Sequence, residues 1–184
     1  MKIKIKYQVY YPSGNTTALV EDILPLKLKK IVNDFIQRSD TSIEQVGFIN
    51  RNQKRLEMAG GEFCGNATRS FASLLLRNQP RSVEITTSGL PYPVKAFQDK
   101  QKNVWAEIDL IKNGGQVFNQ KGYQGYRFPG ITQIVINLDT PPSSPEQYKQ
   151  QGLEILQKLN LTETEPASGI MSIVRNNSTI CLYP

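Results

Sequence analysis

The stretch Met58-Ala59-Gly60-Gly61-Glu62-Phe63-Cys64-Gly65-Asn66-Ala67-Thr68-Arg69 joins a glycine-rich turn to the start of a helix. Ala67 begins an apolar stripe at helical spacing that continues through Phe71, Leu74 and Leu75. Cys64 is therefore predicted at or just before the N-terminus of that helix. Backbone geometry explains the glycines before it, because glycine adopts conformations that other residues avoid.

A cysteine at a helix N-terminus has a chemical consequence. Unpaired backbone N–H groups and the helix dipole stabilise negative charge, which predicts a thiol pKa lowered from about 8.5 toward neutrality. The same N–H groups can bind a substrate carboxylate. A thiolate beside such a turn suits removal of the α-proton of an amino acid, since the developing charge must be stabilised. Inversion at the α-carbon also requires a second acid on its opposite face.

Short strands alternate with three helices, which predicts an α+β fold. Strands are predicted at residues 2–10, 17–20, 46–50, 55–58, 82–87, 92–97, 103–110, 132–138, 170–174 and 179–182. The first helix begins at Pro25, and its predicted buried stripe is Leu28, Ile31, Val32, Phe35 and Ile36. The third begins after the N-cap Ser144 and is predicted to bury Leu153, Leu156 and Leu159. Residues 112–130, rich in Gly, Gln and Asn, are interpreted as a linker.

The second part of the chain repeats the pattern of the first. The order strand, helix, hairpin at residues 132–182 matches the order at residues 17–58. A glycine-rich turn and a central helix follow the first hairpin, whereas nothing follows the second. We therefore expect a complete first domain over residues 1–120 and the first half of a matching domain over residues 131–184.

Composition narrows the possible chemistry. The chain has no histidine, which removes the commonest metal ligand and the commonest general base near neutral pH. Two cysteines, Cys64 and Cys181, are too few for a disulfide scaffold and fit a reducing compartment. No stretch approaches the roughly 20 apolar residues of a membrane span, so we expect a cytoplasmic protein. The net charge of +6 is spread along the chain apart from Lys27, Lys29 and Lys30, which does not favour nucleic-acid binding.

Four segments, in order, carry a resemblance to a known family. They are Pro12-Ser13-Gly14-Asn15, Glu44-Gln45-Val46-Gly47-Phe48, Met58-Ala59-Gly60-Gly61 and Glu62-Phe63-Cys64-Gly65-Asn66-Ala67-Thr68-Arg69. Together they resemble the diaminopimelate epimerase superfamily. Within it, the Ser-Gly-Asn, Glu-Gln-Val-Gly-Phe and Glu-Phe-Cys-Gly-Asn-Ala-Thr segments look most similar to the histidine racemases of opine-metallophore biosynthesis. The similarity is tight over residues 7–78 and loose over the rest of the chain.

The resemblance implies a fold and a mechanism. The fold has two pseudo-symmetric domains, each a curled, mostly antiparallel sheet around a central helix. The reaction is racemisation or epimerisation of a free amino acid by two cysteines, without pyridoxal phosphate, metal or other cofactor. By position, Cys64 is the first catalytic base and acid. The backbone of Gly65 and Asn66 is implied to hold the substrate carboxylate, while Asn15 and Gln45 are implied to contact the substrate.

The chain departs from the family pattern at two places. Met58 stands near the position where the epimerases have an asparagine that reads the distal end of diaminopimelate, which argues against that substrate. The Cys-Gly-(Ser/Thr)-Gly turn that carries the family's second cysteine is absent. We therefore expect a second thiol from a missing segment or a companion chain, and self-association or partner binding through residues 131–184.

Other interpretations stay open from the residues alone. Glu44 could act as the acid and base, as a glutamate near this position does in the related phenazine-biosynthesis isomerases. The chain could instead be a non-catalytic module that binds an amino acid or another small carboxylate. Asn15 could simply be a turn residue. Arg69 is interpreted as a surface or interdomain ion-pair residue, and Cys181 as a structural thiol on a strand.

Overall fold

A computed structural model describes residues 4–12, 15–77, 81–128, 131–140, 143–165, 167–176 and 179–183. The chain forms two compact units, Met1–Asn113 and Gly114–Pro184. Both units combine strands with few helices, so the predicted α+β class is confirmed. Ser13 and Gly14 of the predicted N-terminal turn lie outside the described residues, as does the side chain of Cys181.

The first unit is one curled seven-stranded sheet with two helices. Its elements are β1 (Tyr7–Tyr10), β2 (Thr17–Val20), α1 (Leu26–Ser39), β3 (Gln45–Asn50), β4 (Arg55–Met58), α2 (Gly65–Leu76), β5 (Ser82–Thr87), β6 (Val94–Gln98) and β7 (Val104–Glu107). The strands lie in sequence order. Neighbours are antiparallel except for the pairs β2–β3 and β4–β5. Those two parallel pairs are the ones joined through helices, because a parallel connection needs a crossover.

The two helices cover opposite faces of this sheet. Helix α1 packs on one face, where the buried residues are Ala18, Val20, Val32, Ile36, Ile43, Val46 and Phe48. Helix α2 packs on the other, where they are Leu19, Ile49, Leu56, Met58, Ala67, Phe71, Ala72, Leu76, Ile85 and Ala96. Since side chains alternate along a strand, β2 and β3 supply both layers. Helix α2 is therefore the central helix that the resemblance implied.

The predicted buried stripe of α1 was partly wrong. Val32 is buried, but Ile31 and Phe35 are 62% and 65% exposed. Lys29 is buried instead, and its ammonium is paired with the Glu57 carboxylate on β4. Residues 28, 31 and 35 and residues 29, 32 and 36 form neighbouring stripes of one helix, and the stripe that contains Val32 and Ile36 is the one that packs on the sheet.

The second unit is a five-stranded sheet with the order β12-β11-β10-β9-β8. Its elements are β8 (Gln116–Gln120), β9 (Tyr123–Phe128), β10 (Ile131–Leu138), α3 (Pro145–Lys158), the short α4 (Leu161–Thr164), β11 (Ser168–Asn176) and β12 (Thr179–Tyr183). The predicted linker over residues 112–130 was wrong, because β8 and β9 form a hairpin within it. Lys121 and Gly122 both have positive φ, as a two-residue hairpin turn requires.

Helix α3 begins as predicted. The Ser144 side chain accepts a hydrogen bond from the Gln147 backbone N–H at 3.1 Å. Leu156 and Leu159 are buried, whereas Leu153 is exposed, so that part of the predicted stripe was wrong.

The internal repeat is visible in the strand pairings. In each unit, two antiparallel strands are followed by a helix, then by a strand parallel to the second strand, and then by a strand antiparallel to that one. The order is β1-β2-α1-β3-β4 in the first unit and β9-β10-α3-β11-β12 in the second. The predicted similarity between residues 17–58 and 132–182 is confirmed at the level of topology. The assignment of residues 1–120 and 131–184 as two matching epimerase-like domains stays a prediction.

Candidate active site

The glycine-rich loop between β4 and α2 is held from outside by one turn after β5. The Ser88 hydroxyl accepts a hydrogen bond from the Met58 N–H at 2.9 Å and donates one to the Glu62 carbonyl oxygen at 2.7 Å. Gly89 has φ +74°, and a Cβ there would lie 2.7 Å from the Glu62 carbonyl carbon and closer still to the Phe63 nitrogen. Sequence reasoning missed both residues. The Ser-Gly pair signals a turn, but nothing local identifies the loop that it contacts.

Cys64 is the N-cap of α2, as the sequence predicted. It has an extended backbone (φ −131°, ψ 112°), and its Sγ accepts a hydrogen bond from the Ala67 N–H at 3.4 Å. The residue is half-buried and packs at the edge of the core beneath α2. The sulfur therefore contacts both polar backbone and apolar side chains.

Gln45, at the start of β3, contacts the sulfur directly. Its Oε1 accepts a hydrogen bond from the Cys64 thiol at 3.0 Å. Two residues further along the same face, Gly47 has no side chain, and a Cβ there would lie 2.8 Å from Leu56 Cδ1 and 3.6 Å from Ala67 Cβ. The missing side chain lets the first turn of α2 lie close to β3, which brings Cys64 within reach of Gln45.

Thr17 links the predicted site residues Asn15 and Gln45. Its hydroxyl oxygen is 3.3 Å from the Asn15 carbonyl oxygen and 3.3 Å from Gln45 Oε1. The structure thus brings Asn15, Gln45 and Cys64 into one hydrogen-bonded group with a residue that the sequence did not single out. Thr17 is fully buried on a strand, where a threonine is ordinarily interpreted as a packing residue.

The predicted lowering of the thiol pKa was wrong for this structure. Burial raises the pKa of Cys64 above its ordinary value, and this outweighs the backbone N–H groups of Ala67 and Asn66, which lower it. The Glu62 carboxylate raises the pKa and the Arg69 guanidinium lowers it. The sequence indicates the helix N-terminus, but the amount of water excluded from the sulfur depends on the whole fold.

Asn66 and Arg69 form one unit on the first turn of α2. Asn66 Oδ1 accepts a hydrogen bond from Arg69 Nη2 at 2.6 Å. Burial lowers the pKa of Arg69, and Cys64 raises it. Arg69 is therefore half-buried beside the candidate site and is bonded locally. Among the described residues beyond its own helix, a Cβ on Gly65 would meet the Phe63 ring, at 3.9 Å. The substrate-binding roles of Asn15, Gln45, Gly65 and Asn66 stay predictions.

Glu44 is not among the described residues that form hydrogen bonds with the Cys64 sulfur. Its side chain is exposed, while its backbone N–H donates to the Thr16 carbonyl oxygen and its carbonyl accepts from Gln37. Across the described residues, no three histidine, cysteine or carboxylate side chains are grouped as metal ligands.

The sequence matches the family described as the histidine racemase CntK N-terminal domain over residues 4–181. The chain belongs to this family. Histidine racemases from two strains of Fusobacterium nucleatum subsp. nucleatum are 31% identical to it over 186 and 185 residues, covering 94% of this chain and 68% of each relative. The histidine racemase of Staphylococcus aureus is 36% identical over 94 residues, which is 45% of this chain and 34% of the relative.

Family membership confirms the predicted relation to the histidine racemases and the predicted class of enzyme, an isomerase that acts as an amino-acid racemase. Where the structure describes the chain, no helix is both long and apolar enough to cross a membrane.

Proposed function

We propose that this chain supplies one half of a cofactor-independent racemase site in which Cys64 transfers a proton at the α-carbon of an amino acid. The observation that carries the proposal is the position of the Cys64 sulfur at the start of α2. There the sulfur accepts a hydrogen bond from the Ala67 N–H and donates one to Gln45 Oε1. Family membership supports racemisation as the reaction.

The electrostatics of the site favour the protonated thiol as the resting form of Cys64. Because its pKa is raised, Cys64 carries its proton at neutral pH when no substrate is bound. In the turnover that starts from this form, another base removes the α-proton from one face, and the Cys64 S–H bond breaks as its proton passes to the carbanion on the other. Cys64 is then a thiolate, ready to act as the base for the opposite enantiomer.

The substrate carboxylate fits the backbone at the start of α2. The N–H groups of Gly65 and Asn66 lie at a helix N-terminus, where the helix dipole favours an anion. Charge that develops on the carboxylate as the α-proton leaves is stabilised by the same groups. We propose histidine as the substrate, because the relatives of the chain are named histidine racemases.

The second acid is proposed to come from a segment or companion chain outside the 184 residues. Inversion requires groups on both faces of the α-carbon, and Cys64 supplies one. The chain spans 68% of the length of its Fusobacterium relatives, which leaves room in them for a further segment. We also propose that the chain associates with itself or with a companion chain through residues 131–184.

Proton exchange in heavy water tests the proposal. L- and D-histidine and a panel of other amino acids would be incubated with the chain plus the segment that supplies the second acid, and α-deuterium would be measured by mass spectrometry. Cys64→Ser should abolish racemisation, whereas the matched variant Cys181→Ser should retain it. Unchanged deuterium incorporation with Cys64→Ser would exclude Cys64 as a proton-transfer group.

Further measurements separate the two alternative functions. A Glu44 isomerase would lose activity with Glu44→Gln and would resist thiol alkylation. A non-catalytic module would bind the amino acid without exchanging its α-proton even when the second segment is present.

A further inference from the structure

The Thr17 hydroxyl stands between two acceptors and has one hydrogen to give. It lies 3.3 Å from the Asn15 carbonyl oxygen and 3.3 Å from Gln45 Oε1. A hydroxyl donates one hydrogen bond and accepts others, so it can donate to either acceptor and accept from a neighbour at the same time. Thr17 is fully buried, so no water competes freely for these positions.

The Gln45 amide can present either its oxygen or its nitrogen to the Cys64 sulfur. With the protonated thiol, Oε1 accepts from the Cys64 S–H at 3.0 Å and from Thr17. With the thiolate, Oε1 and sulfur are both acceptors and repel each other. Rotation of the amide by half a turn places Nε2 there instead, with one N–H toward sulfur and the other toward Thr17 Oγ1. The Thr17 hydrogen then turns to the Asn15 carbonyl oxygen, so the thiolate, both amide N–H groups and the hydroxyl are hydrogen-bonded.

We propose that Thr17 is a positioning residue that lets Gln45 accept from the Cys64 thiol and donate to the Cys64 thiolate. The inference rests on the proposed function, in which Cys64 is acid in one direction and base in the other. A two-base racemase needs both forms at each turnover, and a fixed acceptor would favour the thiol alone. Thr17 removes this restriction, because its hydroxyl pairs with either end of the amide.

The fixed charges near the sulfur do not change between the two forms. The Glu62 carboxylate raises the pKa of Cys64 and the Arg69 guanidinium lowers it, and both act whichever way the amide points. The backbone N–H groups of Ala67 and Asn66 favour the thiolate throughout. The hydrogen bond between Gln45 and the sulfur, in contrast, reverses its direction when Cys64 loses or regains its proton.

The pH dependence of Cys64 alkylation tests the proposal without requiring turnover. The 184-residue chain would be treated with iodoacetamide across a pH series, and mass spectrometry of peptides would separate Cys64 from Cys181. The midpoint of the rate profile reports the thiol pKa. Gln45→Met removes the amide, Thr17→Val removes the hydroxyl at equal size, and Thr17→Ser retains it.

We expect Gln45→Met to raise the midpoint by about one pH unit, since a charge-assisted bond to the thiolate is stronger than the bond from the thiol. Thr17→Val should also raise it, because the rotated amide would leave a buried N–H unpaired, which costs more than an underused carbonyl. At about pH 8 both variants should react three to ten times more slowly. Thr17→Ser should match the unmodified chain.

A lower midpoint in Gln45→Met would overturn the proposal, because Gln45 would then be a fixed acceptor that stabilises the thiol. An unchanged midpoint in Gln45→Met, or in Thr17→Val checked as folded by circular dichroism, would overturn it as well. If Thr17→Val does not fold, Thr17→Ala takes its place in the same pH series, with the same rise of the midpoint expected. Loss of the proposed function is recognised separately, because the heavy-water experiment on Cys64→Ser does not depend on these midpoints.

Discussion

Replacing Gly89 with alanine tests whether the turn after β5 holds the loop that leads to Cys64. Gly89 has φ +74°, and a Cβ there would lie 2.7 Å from the Glu62 carbonyl carbon and 3.1 Å from Phe63 Cα. These atoms are backbone and cannot rotate away, so the loop itself must move. Gly61 offers a matched control, because it has φ +82° in the same loop and no atom of the described residues, apart from its chain neighbours, within 4 Å of its Cβ position.

The expected magnitudes come from two separate costs. An L-residue in the left-handed region costs about 1 kcal/mol, which applies to Gly61→Ala and Gly89→Ala alike. Overlap with packed atoms costs about 1–3 kcal/mol more and applies only at Gly89. We therefore expect Gly89→Ala to lower the free energy of unfolding by about 2–4 kcal/mol and Gly61→Ala by about 1 kcal/mol.

Urea unfolding followed by circular dichroism measures both losses, provided that the slopes with denaturant agree among the variants. The difference between the two variants isolates the close approach of the Gly89 turn to the loop. If Gly89→Ala costs no more than Gly61→Ala, the turn does not hold the loop, and the geometric reasoning is refuted.

The remaining predictions concern side chains that form hydrogen bonds or bear charges. Ser88→Ala removes two hydrogen bonds to the loop and should lower the free energy of unfolding by about 1–3 kcal/mol in the same urea titration. Burial raises the pKa of Glu57, but the hydrogen bonds from Lys29 and Arg55 lower it by more than burial raises it. The net effect is a pKa below the ordinary value. The stability from Glu57 is complete above its unfolded pKa of about 4.3 and is lost as pH falls through the folded value. Glu57→Gln should therefore flatten the fall of Tm with acid in calorimetry. Glu62→Gln should lower the pKa of Cys64 and Arg69→Gln should raise it, measured by alkylation across pH; opposite signs would contradict the charge assignment.

Local signals were sufficient to predict the main elements of the fold. Alternation predicted β3 and β4, and helical spacing after a glycine-rich turn predicted α2 with Cys64 at its start. Ser144 predicted the start of α3, and its side chain makes the expected cap. Each of these features depends on residues a few positions apart, which is the range that periodicity and capping describe.

Contacts between segments that are distant in the chain could not be predicted from the sequence. The side of α1 that faces the sheet packs Val32 and Ile36 against distant strands and pairs Lys29 with Glu57, 28 residues away. The rise in the pKa of Cys64 depends on water exclusion by the assembled core. Ser88 and Thr17 contact the site from strands and turns that carry no recognisable motif. The hairpin of β8 and β9 was missed because its polar composition hid a two-residue turn.

Gly47 has a consequence for attempts to redesign this enzyme. A Cβ there would lie 2.8 Å from Leu56 Cδ1 and 3.1 Å from Leu19 Cδ2, so these side chains would have to shift. Ala67 Cβ, in the turn that carries Cys64, would be in ordinary contact at 3.6 Å. Two leucine side chains thus occupy the space that a side chain at position 47 would need, next to the turn in which the Cys64 sulfur lies 3.0 Å from Gln45. Mutant libraries that alter substrate preference should keep glycine at position 47, because an added side chain there would displace the two leucine side chains that pack beside this turn.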